Sequence, residues 1–156
     1  MITVMLICHS ILAVTLVGAL THQSISLWWP ASAGTGPGFA TSVRNVHAAK
    51  YSNAVIVLYL VTAFIGGVLL YPTYRVFVRV FLEQLRRMSV VGAFELKENL
   101  VAIGLGLLPV YWYYWRQPLA AEDARNRRLI TLFLTLIAWW GFLVGHVINN
   151  IRGFGL

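Results

Sequence analysis

Four histidines stand out in a chain whose other residues are mostly apolar: His9, His22, His47 and His146. An ionisable side chain inside a long apolar run is costly in lipid and marks a functional site by default. At 1.5 Å of rise per helical residue, His9 lies about 10 Å inside the first apolar run from its start. His146 lies about 8 Å inside the last run from its end by the same arithmetic. In antiparallel helices those two imidazoles share one depth. His22 and His47 flank the connection that follows the first run, near the opposite surface.

Neutral imidazole is an axial ligand of haem iron, and the core of a helix bundle is a standard place to build such a site. His9 and His146 are therefore expected to ligate one haem b, and His22 and His47 a second. Arg152 and Arg75 on one side, with Arg44 and Lys50 on the other, suit haem propionates because a guanidinium pairs carboxylates bidentately. Gly141 and Gly145, one turn before His146, would let a flat macrocycle approach the backbone. The blander readings stand beside these. A buried histidine can hydrogen-bond a neighbouring helix, or handle protons or quinone; His22 and His47 can be solvated loop residues. Gly141-x-x-x-Gly145 is also a helix-packing pattern, and arginines snorkel from span ends without any ligand.

Other chemistries are poorly served. The single cysteine, Cys8, excludes an internal disulfide or a Cys-rich metal site. No H-E-x-x-H or H-x-x-x-H spacing is present, so a zinc hydrolase is not expected. Glu95, Lys97, Glu98 and Asn99 form a polar cluster before the third apolar run. It suits proton entry, contact with a quinone headgroup, or ion pairs with nearby arginines.

The elements that must position these residues are membrane helices. The 156 residues are 59% hydrophobic and only 11% charged, against roughly a quarter charged in soluble domains. That balance excludes a soluble enzyme, and the net charge of +7 does not imply nucleic acid, because the arginines sit at the ends of apolar runs. A hydrocarbon core of about 30 Å needs about 20 apolar residues per helix. Four spans are expected, at about 2–20, 51–71, 96–115 and 129–151, in one all-α integral membrane domain covering 1–156. They form an up-and-down bundle with both termini on one side, here side A; the other is side B. The basic residues tie between the sides, and the termini are assigned to the cytoplasm of a bacterial inner membrane.

Between spans 2 and 3, residues 73–89 place Tyr74, Phe77, Val78, Phe81, Leu82, Leu85 and Met88 on one stripe and Arg75, Arg79, Glu83, Arg86 and Arg87 on the other. Pro72 and Thr73 sit where a new helix would begin. An interfacial helix lying flat on anionic lipid is expected, with Arg79–Glu83 and Glu83–Arg87 as i,i+4 ion pairs. Residues 31–42 are rich in Gly, Ser, Thr and Pro and read as loop.

Four spans with histidines at two depths resemble the architecture of small four-helix b-type cytochrome subunits, which carry electrons between quinone and a partner. The resemblance is architectural and matches no motif residue by residue. It implies a non-catalytic subunit of a membrane electron-transfer complex, carrying one or two haems and needing other membrane subunits or a redox partner. The alternatives are a haem-free structural subunit that anchors or seals a larger complex, and a small transporter using Glu95, Lys97 and His9.

Overall fold

Long apolar stretches must satisfy their own backbone N–H and C=O groups, and the helix is the local way to do so. The computed structural model describes residues 1–29, 38, 48–117 and 121–151, and it holds no strand among them. Four long helices carry the chain: α1 (Ile2–Trp28), α2 (48–84), α3 (Met88–Arg116) and α4 (Ala121–Ile151). Each packs on two others, α1 on α2, α2 on α3, α3 on α4 and α4 on α1, closing a four-membered ring. Three are long and apolar enough to cross a membrane, over 2–28, 51–84 and 123–151. Helix α3 falls short of that measure, with Glu95, Lys97 and Glu98 near one end and tyrosines and tryptophans at the other.

The helices outrun the expected spans. Helix α1 continues to Trp28, so His22, Gln23 and Ser24 are helical rather than loop. In a low-dielectric surround, extending a helix pairs backbone groups that a loop would leave unpaired.

The break expected at Pro72 is absent. Helix α2 runs through it as α-helix Ala48–Phe64, a π-helical segment Ile65–Leu70, one α turn Tyr71–Thr73, a second π-helical segment Tyr74–Arg79 and a last α turn Val80–Gln84. Proline lacks the N–H that an α-helix would bond to residue i−4, and a π turn re-registers the ladder around such a gap. Residues 73–84 are thus the end of α2 and not a separate interfacial helix. The apolar stripe is used internally: Tyr74, Val78 and Leu82 are buried against Val91 and Phe94 of α3 and Val144 and Ile148 of α4. Phe77, Leu85 and Met88 remain exposed. Helix α2 ends at Gln84, so Glu83 and Arg87 straddle a turn in which Arg86 has a φ of 54°. Arg79 pairs with Glu83 at 2.7 Å and reaches across to Glu95 of α3 at 3.0 Å.

The side-B half is tied by polar contacts. The Tyr111 hydroxyl donates to Gln23 Oε1 at 2.5 Å, and Ser24 and Thr135 share a hydroxyl hydrogen bond at 2.8 Å. Trp115 Nε1 donates to Thr131 Oγ1 at 3.1 Å, and Trp139 Nε1 to Thr21 Oγ1 at 2.9 Å. Arg127, 5% exposed, donates to the carbonyls of Tyr114 at 2.7 Å and Gln117 at 2.8 Å and lies over the Trp115 ring. A cation there satisfies orphan carbonyls and opposes the negative end of the α3 dipole. The apolar cluster of Leu20, Val55, Tyr59, Leu108, Tyr111 and Leu134 fills the space between these ties.

Candidate functional site

The side-A half is hollow where the side-B half is tied. Two adjoining cavities lie between the helices, of about 330 Å³ and about 610 Å³. His9, Ala13, Gly66, Lys97, Gly141 and Phe142 line both, so one wall separates them. Their origin is the path of α2. It meets α3 at two pinch points, where the Tyr59 hydroxyl donates to the Val101 carbonyl at 3.2 Å and where Tyr74 stacks on Phe94 with centroids 3.6 Å apart. Gly104 makes the first possible, since a Cβ there would collide with the Tyr59 hydroxyl. Between these points α2 carries its first π-helical segment, Ile65–Leu70. π segments of this kind concentrate at functional sites, and Gly66 of this one lines both cavities.

His9 and His146 both line the smaller cavity, with Tyr71, Tyr74, Phe94 and Lys97. His9 is half-buried and its Nδ1 has no hydrogen-bond partner; the same holds for the Tyr74 hydroxyl. A buried polar atom without a partner is uncommon and costly. The His9 ring is held against the π segment of α2: a Cβ on Gly66 would sit 2.8 Å from its Cε1. His146 is exposed and stacks on Phe142, with centroids 6.2 Å apart and planes 17° from parallel. Gly141 and Gly145 line the cavity, and a Cβ on Gly145 would meet nothing within 4 Å. Gly145 therefore borders space, whereas Gly141 faces α3, where a Cβ would stand 4.0 Å from Lys97 Cγ.

The remaining expected residues are not gathered there. His22 Nδ1 lies 3.2 Å from the Tyr51 hydroxyl, with the rings edge to face, toward the side-B half. His47, Arg44 and Arg152 lie outside the described residues. Arg75 is exposed and is not among the residues lining either cavity. The cation at the cavity wall is Lys97, whose side chain is only 14% exposed and whose Nζ sits 3.5 Å from Glu98 Oε1 and 4.6 Å from the Phe94 ring centroid. Charge spacing marked Lys97 as part of a polar cluster; its burial beside His9 carries no sequence signal. Among the described residues, no three His, Cys, Asp or Glu side chains cluster as a metal site would require. Two imidazoles and a tetrapyrrole need no such cluster.

No family model matches the chain, and no curated protein or solved structure matches it.

Proposed function

We propose that the chain is a small b-type-cytochrome-like subunit of a membrane electron-transfer complex, holding one haem b between His9 and His146. The observation that supports this best is that two histidines, one from each end of the chain, line one cavity while His9 Nδ1 stays unpartnered. Two imidazoles lining the cavity and an open Gly145 suit a flat ligand that needs close backbone approach. Haem would supply one-electron transfer; the polypeptide supplies its ligands and an apolar surround. A second haem at His22 and His47 forms no part of this proposal, because His22 is engaged by Tyr51.

All four helices are taken to span the membrane. Helix α3 does so because its charges are paired: Glu95 with Arg79 and Lys97 with Glu98. Side A is taken as cytoplasmic, where the exposed Arg75, Arg86 and Arg87 at the α2–α3 tip would meet anionic lipid headgroups. Other membrane subunits or a redox partner deliver and receive the electrons. A second reading is supported by the side-B polar ties, which a haem-free subunit that anchors a complex would also use.

One measurement separates the two. The protein purified from haem-replete cells should give sharp b-type absorption on reduction with dithionite, and His9→Ala and His146→Ala should each remove it. A featureless reduced spectrum overturns the haem reading and leaves the scaffold.

A further inference from the structure

Asn99 stands on the outer face of α3. Lys97 and Val101 turn into the hollow of the bundle, where they line the larger cavity; Asn99, between them in the chain, is exposed. With α3 spanning the membrane as proposed above, the depth of Asn99 follows from α4. A Cβ on Gly141 would stand 4.0 Å from Lys97 Cγ, and Gly141 sits well inside the apolar span 123–151. The amide, two residues further on, is therefore surrounded by acyl chains and not by headgroups. Exposed hydroxyls on α1 are satisfied by their own helix: Ser10 and Thr15 donate to the carbonyls of Leu6 and Ile11, each at 2.8 Å. The Asn99 side chain makes no hydrogen bond to another described residue. A primary amide carries two N–H donors and a carbonyl acceptor, and leaving them unpaired in hydrocarbon is costly.

What covers the amide is set by its neighbours. Gly92, Leu96, Asn99, Ile103, Gly106 and Val110 follow one another at alternating four- and three-residue steps and are all exposed. That spacing is a heptad seam, the pattern by which one helix meets another. The outward stripe of α4 carries Phe133, Leu136, Trp140 and Leu143, bulky throughout and suited to lipid. On α3, Gly92 and Gly106 stand one heptad to either side of Asn99, and a Cβ on either would meet nothing within 4 Å. No neighbour within the chain needs those glycines to be small. A second helix would, because small residues let two backbones approach closely enough for an interhelical hydrogen bond. Copies inserted in one orientation and related by a two-fold axis along the membrane normal run α3 parallel to itself. Asn99 then meets Asn99, and each amide donates to the carbonyl of the other. Like charges would oppose such self-pairing; the six seam residues carry none, and Glu95 beside them is held by Arg79 at 3.0 Å. We infer that the chain forms a parallel homodimer through this face of α3, fixed in register by reciprocal hydrogen bonds between the two Asn99 amides.

The test uses the full chain, with Cys8→Ser, in phosphatidylcholine liposomes. Copies labelled with donor or acceptor dye at Arg87→Cys, which is exposed, are diluted with lipid, and energy transfer reads the dimer fraction. A dissociation curve fitted by a dimer is expected. Asn99→Leu should weaken the dimer about tenfold, the worth of two interhelical hydrogen bonds, and Asn99→Gln should restore most of the loss. Gly106→Leu should abolish the dimer while the circular dichroism of the helices stays unchanged, since nothing in the chain lies near that position. On oxidation with copper phenanthroline, Ile103→Cys should form an intermolecular disulfide and Val14→Cys, exposed on α1, should not. A monomer at every dilution, equal cross-linking at residues 14 and 103, or full affinity in both Asn99→Leu and Gly106→Leu would overturn the inference. Ile103→Cys that reacts with a membrane-impermeant maleimide in intact liposomes would take α3 out of the bilayer and overturn it too. Dimers of a protein whose reduced spectrum is featureless would uphold the seam and remove only the haem.

Discussion

Gly66 and Gly67 offer a matched pair of perturbations at adjacent positions. Replacing a helical glycine with alanine ordinarily stabilises by about 0.5–1 kcal/mol, because the unfolded chain loses freedom. At Gly67 nothing lies within 4 Å of an added Cβ, so Gly67→Ala should gain that amount or be neutral. At Gly66 the same atom would stand 2.8 Å from His9 Cε1 and 3.4 Å from Nε2, well inside the contact distance of about 3.5–4.0 Å. The contact is with a ring lodged between helices, so the ring or α2 must yield by more than half an ångström. Overpacking of this kind costs about 1–3 kcal/mol. The alanine gain is common to both variants and cancels, so Gly66→Ala should be about 2 kcal/mol less stable than Gly67→Ala. Equilibrium unfolding in mixed detergent and sodium dodecyl sulfate micelles, followed by far-ultraviolet circular dichroism, measures the difference. The double variant His9→Ala with Gly66→Ala closes the cycle, since removing the ring should abolish the penalty at residue 66. Equal stability of the two glycine variants, or a Gly66→Ala penalty that persists without the imidazole, would refute the packing of His9 on the π segment.

Two further outcomes follow from the ties between helices. Gly104→Ala should destabilise by about 1–3 kcal/mol through collision with the Tyr59 hydroxyl, and Tyr59→Phe should recover part of that loss; the same unfolding assay reads both. Arg127→Met should cost about 2–4 kcal/mol, because two carbonyls at the α3 end lose charge-assisted donors, whereas Arg116→Met, exposed at that end, should cost under about 1 kcal/mol.

The class of the protein and the common depth of His9 and His146 are legible in the sequence because helical rise is fixed and the apolar runs are long. Helix ends are less legible. His22, Gln23 and Ser24 look like a polar exit from α1, yet Gln23 and Ser24 are buried and hydrogen-bonded to α3 and α4; polar residues serve as glue between helices as readily as they face water. Pro72 reads as a stop because periodicity assumes an α-helical ladder, and π turns escape that assumption. The charged tip was expected to lie flat since amphipathic spacing does not tell an interfacial helix from one packed on neighbours. Arg127 counts in the sequence as one basic residue of a loop. Its placement depends on the packing of α4 against α3, which no local pattern records. The cavities are the least legible feature, because they are bounded by residues of all four helices and depend on how those helices pack and not on any residue type.

The interhelical hydrogen bonds are gathered toward one end of the bundle, and that asymmetry has a mechanical consequence. At the other end α2, α3 and α4 stay gripped by the cluster of Tyr74, Val78, Leu82 and Phe94, which α1 does not join, so a small tilt of the first half of α1 is the movement of least energetic expense. A bulky guest can then be admitted or released beside α1 by flexing, with the backbone hydrogen bonds of every helix left intact.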